Sequence, residues 1–131
     1  MNAESFKMSA DLIKSLIISL ALTLSLECGF FYLTGKRNKS DLLLVVMVNI
    51  LTNPAVVLLY WLAASYTFWN IKAVNVFLEL FAVLAEGCCY LRYGREIRRP
   101  FVFSLAANAF SFGMAFLFQR LITYILGGIY L

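Results

Sequence analysis

Glu27 and Glu86 are the residues best placed to do chemistry, because each lies within an apolar run long enough to cross a bilayer. Each is followed 22 positions later by a carboxamide, Asn49 and Asn108 respectively. Shifting the chain by 59 positions superposes Glu27 on Glu86, Gly35 on Gly94, Lys36 on Arg95, Lys39 on Arg98, Asn49 on Asn108 and Thr52 on Ser111. Scarce polar types coincide in that register, which points to an internal repeat. A charged side chain in hydrocarbon costs roughly 2.5–3.5 kcal/mol on insertion scales, so a carboxylate kept there is a candidate for function. The set Glu27, Asn49, Thr52, Asn53, Glu86, Asn108 and Ser111 offers only oxygen ligands, which suit a proton or a hard cation better than a soft metal. The chain has no His, although Cys28 and Cys88 lie beside the two carboxyls, so the identity of any metal stays open. The competing reading is a structural lock, in which a protonated Glu is hydrogen-bonded to an Asn.

Composition sets the frame for these residues. Of 131 residues, 63% are hydrophobic and 14% charged, and the mean hydropathy is +0.85. A water-soluble domain of this length would expose too much apolar surface, so a single all-α, polytopic transmembrane domain over 1–131 is expected. The net charge of +4 does not argue for nucleic acid, because the basic residues gather in short turns and no basic patch is interleaved with aromatics. Cys28, Cys88 and Cys89 are odd in number and lack a CxxC spacing, so they read as small apolar packing residues. Glu4 and Asp11 intrude where a signal peptide would be basic, and Glu27 occupies a position where a lipoprotein box requires a small residue. The first apolar run is therefore read as a retained helix.

Four helices must position the polar set, as two tandem hairpins over about 11–62 and about 71–126. Helix 1 is expected over 11–33, after a polar lead-in over 1–10. It carries Ser15, Ser19, Thr23 and Glu27 at every fourth position, a narrow inward stripe whose hydroxyls favour close helix–helix packing. Gly35 suits the C-cap, and Ser40 or Asp41 the N-cap of helix 2 over 42–62. Asn49, Thr52, Asn53 and Pro54 are expected to interrupt that helix, Pro54 kinking it by removing a backbone donor. Residues 60–72 form an aromatic connection at the headgroup level. Helix 3 spans 71–93 and places Asn75, Glu79 and Glu86 on one face. Helix 4 spans 101–126, and Gly127 and Gly128 follow it.

The turn over 34–41 has three Lys or Arg and that over 92–100 has four, while 60–72 has only Lys72. Positive turns stay inside, which places both basic turns in the cytoplasm and both termini outside. Glu27 and Asn49 then lie at matching depth, about 10 Å in at 1.5 Å per residue, and Glu86 and Asn108 likewise. Two hairpins of equal sense imply a pseudo-two-fold axis along the membrane normal, the logic of parallel-repeat transporters. Glu79 and Arg120 lie at similar depth from the opposite face and are expected to form a structural ion pair.

The combination Glu27…Asn49-x-x-Thr52-Asn53-Pro54 and Glu86-Gly87…Asn108-x-x-Ser111-Phe112-Gly113 resembles a group of small, uncharacterised bacterial four-helix integral membrane proteins. That resemblance supports the choice of residues and implies no activity. Three functions are compatible with the residues. The first is a small transporter or channel-like protein for a proton, a cation or a cation-coupled small solute; because four helices enclose little space, a homodimer is expected. The second is a non-catalytic membrane protein that assembles with a partner. The third and weakest is an intramembrane hydrolase, with Glu86 or Glu27 as general base and Asn108 or Asn49 as oxyanion donor, which lacks an activated nucleophile. No catalytic residue and no cofactor are expected beyond a bound cation.

Overall fold

The structure is a computed structural model that describes residues 3–129, with the side chains of residues 3, 6, 128 and 129 outside the description. It is all-α, with α1 (Ala3–Leu33), α2 (Lys39–Tyr66), α3 (Ile71–Tyr93) and α4 (Pro100–Ile129). Even the shortest, α3 with 23 residues, is about 34 Å long and exceeds a hydrocarbon core of roughly 30 Å. All four are long and apolar enough to span a membrane. Their outward faces are apolar as well: Ile18, Phe77 and Leu84 are more than half exposed. A water-soluble monomer does not present apolar surface so continuously, and the arrangement suggests a multi-pass membrane protein.

Several element boundaries differ from those read from the sequence. The first helix begins at Ala3 and takes in most of the anticipated lead-in; Met1 and Asn2 of that lead-in lie outside the described residues. The second begins at Lys39, because Asn38 takes the N-cap, its Oδ1 accepting from the N–H of Ser40 at 2.9 Å and of Asp41 at 3.3 Å. No interruption occurs between Asn49 and Pro54, and α2 runs through both. Proline costs this helix only the bond its own nitrogen would have made, while Thr52 and Asn49 hydrogen-bond back to Val48 and Val45 one turn earlier. Tyr60, Trp61 and Tyr66 therefore belong to α2, and the connection shrinks to Thr67–Asn70, where Asn70 caps α3. Helix α4 begins at Pro100 and continues through Gly127; Tyr130 and Leu131 lie outside the described residues.

The helices pack as a ring. α1 lies against α2 and α4, α3 lies against the same two, and the diagonal pairs do not approach among the described residues. Short turns make the neighbours antiparallel. Gly35 closes the first turn at φ 78°, a left-handed conformation that favours glycine. Gly94 ends α3 at φ −68°, and is required for a different reason: a Cβ there would collide with the carbonyl oxygen of Tyr90.

Packing is densest at the end carrying these two turns. Phe31, Val45, Val48, Tyr90, Ile97 and Phe103 form the buried core. Phe103 meets Tyr90 and Phe31 nearly edge-on, at centroid distances of 5.5 and 6.4 Å, a favourable arrangement of ring quadrupoles. Asp41, fully buried, joins the two hairpins there. Its Oδ1 accepts from the N–H of Arg95 at 2.8 Å and its Oδ2 from that of Glu96 at 2.7 Å. Sequence reasoning assigned Asp41 to a cap and missed this clasp. Bonds to a charged acceptor contribute roughly 1.5–3 kcal/mol each, and water can replace part of that at a turn. Asp41→Ala should therefore destabilise the protein by about 2–3 kcal/mol in detergent unfolding and Asp41→Asn by roughly half as much; an unchanged unfolding midpoint would show that the clasp contributes nothing.

Candidate functional site

Each Glu–Asn pair closes between the two helices of its hairpin. The Nδ2 group of Asn49 donates to Glu27 Oε2 at 2.7 Å and to the carbonyl of Val45 at 3.0 Å. In the same pattern, Asn108 Nδ2 donates to Glu86 Oε2 at 2.5 Å and to the carbonyl of Ser104 at 3.0 Å. A backward bond to residue i−4 fixes each carboxamide against its own helix, so that its second N–H points across to the carboxyl. Glu27, Asn49 and Glu86 are each at most 1% exposed. Among the described residues, every side chain that hydrogen-bonds to either carboxyl is neutral.

The two carboxyls are served unequally. Glu86 also accepts from Thr52 Oγ1 of α2 at 2.9 Å and from Ser104 Oγ at 3.2 Å, whereas Glu27 Oε1 is buried without a partner. Asn49 Oδ1 and Asn53 Oδ1 are also buried and unpartnered. Asn53 uses its Nδ2 to donate to Thr23 Oγ1 at 2.9 Å. Ser111 Oγ donates to the carbonyl of Asn108 at 3.1 Å within its own helix, unlike Thr52, which crosses to Glu86.

The hydroxyls around Glu86 have a chemical consequence. Thr52 Oγ1 is within reach of both Val48 O at 3.1 Å and Glu86 Oε1, but it has one hydrogen to give. Ser104 Oγ stands likewise between Val83 O at 2.9 Å and Glu86 Oε2. Each hydroxyl can donate to an ionised Glu86, or turn to the backbone carbonyl and accept from a protonated one. Rotation of these hydroxyls can therefore accommodate either protonation state of Glu86.

Glu79 is the residue whose role the structure changes most. The ion pair with Arg120 does not form among the described residues. Arg120 lies over the ring of Phe116, 5.2 Å from its centroid, because the two residues share an outer face of α4 one turn apart. Glu79 instead faces the interior. It lines a polar hollow of ≈ 20 Å³ with Asn49, Thr52, Asn53, Glu86 and Asn108, which is room for about one water molecule. It also lines a cavity of ≈ 170 Å³ with Ser19, Thr23, Asn53, Asn108 and Ser111, and a groove of ≈ 220 Å³ with Asn75 between α3 and α4. Depth along the helix, which matched Glu79 to Arg120, carries no information about which way a side chain faces.

Three further residues escaped sequence reasoning. Ser104 precedes Asn108 by one helical turn, and that spacing could have identified it. Tyr90 follows Glu86 by one turn, and its hydroxyl is buried without a partner; nothing in the sequence announces that. Asp41 was discernible only from the turn it clasps. Cys28, Cys88 and Cys89 are free, and no three His, Cys, Asp or Glu side chains among the described residues converge to hold a metal ion.

The unequal service of the carboxyls gives a test by stability. Side-chain bonds between helices away from water average about 0.6 kcal/mol with a maximum near 1.7. Asn49→Ala should cost about 1–2 kcal/mol in detergent unfolding, more than Asn108→Ala, since Glu86 keeps two donors and Glu27 keeps none; equal losses would contradict the hydrogen-bond count. Tyr90→Phe should be neutral or slightly stabilising, because the hydroxyl it removes is unsatisfied. Comparison of the chain with protein-family models, with curated proteins and with solved structures finds no match to any of them, so the site is assigned from its own geometry.

Proposed function

We propose that this chain is a small integral membrane transporter or channel-like protein, moving a proton, a cation or a cation-coupled small solute past Glu27 and Glu86. The observation that carries the proposal is the pair of buried carboxyls, with no ion-pair partner among the described residues, beside cavities whose lining includes acceptor oxygens. The energetics point the same way. Two carboxylates in hydrocarbon cost roughly 2.5–3.5 kcal/mol each. The four side-chain bonds they accept, at about 0.6 kcal/mol each, recover less than half of that. A purely structural lock would be better built from apolar residues.

In this reading the hairpins are tandem parallel repeats about an axis along the membrane normal, in a bacterial cytoplasmic membrane. The basic turns lie in the cytoplasm and both termini outside. The cavities beside Glu79 then lead in from the outer side, and the cluster of Phe31, Tyr90 and Phe103 closes the inner side. In this reading access to the inner side requires those rings to part, and the site is open to the outer face alone. A homodimer would complete the lipid-facing grooves.

A second reading, a non-catalytic subunit of a larger membrane assembly, draws on the apolar groove between α2 and α3 lined by Leu59, Ala63, Val74 and Phe77, which has the form of a seat for a partner's helix. Recovery of a stoichiometric partner at native expression would favour it. The first reading is tested by flux of H⁺, Na⁺, K⁺ and Mg²⁺ in proteoliposomes. Wild-type protein should conduct at least one of them, and the Glu27→Gln/Glu86→Gln double variant should lose at least ten-fold in rate while still folding. Absence of flux for all four ions in wild type would overturn it.

A further inference from the structure

The polar hollow and the larger cavity share Thr23, Asn53, Glu79 and Asn108 among their lining residues, and their chemistry is complementary. The hollow has the volume of about one water molecule, which is also the volume of an ammonium group. Its walls have an excess of acceptors. Asn49 Oδ1 and Asn53 Oδ1 are buried with no donor, Asn49 being 1% exposed, and Glu79, which lines both cavities, has no hydrogen bond or ion pair among the described residues. The Nδ2 group of Asn49 is committed twice, to Glu27 and to the carbonyl of Val45, so rotating that amide would set its oxygen against two acceptors. The lining of the two cavities includes no Lys or Arg.

The adjoining cavity of ≈ 170 Å³ is lined on its apolar side by Leu22, Leu26, Phe112 and Ala115. A cavity of roughly 150 Å³ accommodates a benzene ring, so this one holds a tail of about six or seven carbons. An inorganic metal ion fits poorly, since no three His, Cys, Asp or Glu side chains among the described residues converge on one point. A quaternary ammonium supplies charge but no N–H, and would leave the amide oxygens unpaired.

We infer that these joined cavities bind a small organic primary ammonium ion, its –NH₃⁺ group among Asn49 Oδ1, Asn53 Oδ1 and Glu79, and its apolar tail against Leu22, Leu26 and Phe112. Three N–H donors meet three acceptor groups. Glu79 is the counter-ion and determines selectivity for charge, while the two amide oxygens determine selectivity for N–H. The inference deepens the transport reading by naming the solute class, and it rests on that reading only for what binding accomplishes.

The test is calorimetric titration of the purified full chain in detergent with three probes of one tail: benzylammonium, benzyltrimethylammonium and benzyl alcohol. Benzylammonium should bind at least ten-fold more tightly than either of the others, and Glu79→Gln should weaken it at least ten-fold while leaving benzyl alcohol unchanged. Equal binding of all three, or a Glu79→Gln variant that binds benzylammonium normally, would reduce the site to an apolar cavity and overturn the inference. So would the absence of benzylammonium binding to wild type. Were Glu79→Gln not to fold, the ranking of the three probes on wild type decides alone. Ion flux without benzylammonium binding removes this inference and leaves the transport reading standing. Binding without flux does the reverse.

Discussion

A carboxyl group kept from water must find its hydrogen bonds inside the protein, and that requirement governs this bundle. Glu27 and Glu86 reach such partners only if each hairpin turns Asn49 or Asn108 inward at the same level. Fixing that level fixes the register of α1 on α2 and of α3 on α4. Thr52 then ties α2 to α3 through Glu86, and Asn53 ties α2 to α1 through Thr23. Apolar packing alone would not set these rotations, because a helix covered in Leu, Ile and Phe has no preferred inner face when its surroundings are equally apolar.

The two Glu–Asn pairs share a geometry and differ in chemistry. In each, the carboxamide bonds back one turn and across to the carboxyl. Around Glu86, Ser104 and Thr52 add two hydroxyl donors; the position corresponding to Ser104 is Val45 in the first hairpin, and Ser111, which corresponds to Thr52, bonds its own backbone. The turn glycines diverge in the same way, Gly35 left-handed and Gly94 not. One carboxyl is thus held by a saturated network, and the other keeps an open oxygen. A symmetric pattern of residue types has been put to asymmetric use.

The bundle is equally uneven along its length. Rings of Phe31, Tyr90 and Phe103 and the Asp41 clasp consolidate the end with the two basic turns. Beyond the Glu–Asn level, the helices separate and leave cavities bordered by Glu79, Asn53 and Ser111. Dense packing resists deformation, so the consolidated end is the part whose opening would need the most rearrangement. The polar hollow lies where the two regimes meet.

The sequence by itself determined the all-α class, the existence of four long apolar helices and the Glu–Asn partners, because these follow from residue type, hydropathy and helical spacing. It located helix ends less well: Asn38 outcompeted Ser40 and Asp41 for the cap, and tertiary and backbone bonding carried α2 through Pro54. Only the tertiary structure decided which way Glu79 faces, that Asp41 clasps the opposite turn, that Thr52 serves Glu86 rather than Glu27, and that Glu27 Oε1, Asn49 Oδ1 and Asn53 Oδ1 are buried without partners among the described residues. The physical reason is that spacing along a helix specifies depth and relative face, whereas the absolute rotation of each helix is set by bonds to its neighbours, and those depend on every other helix at once.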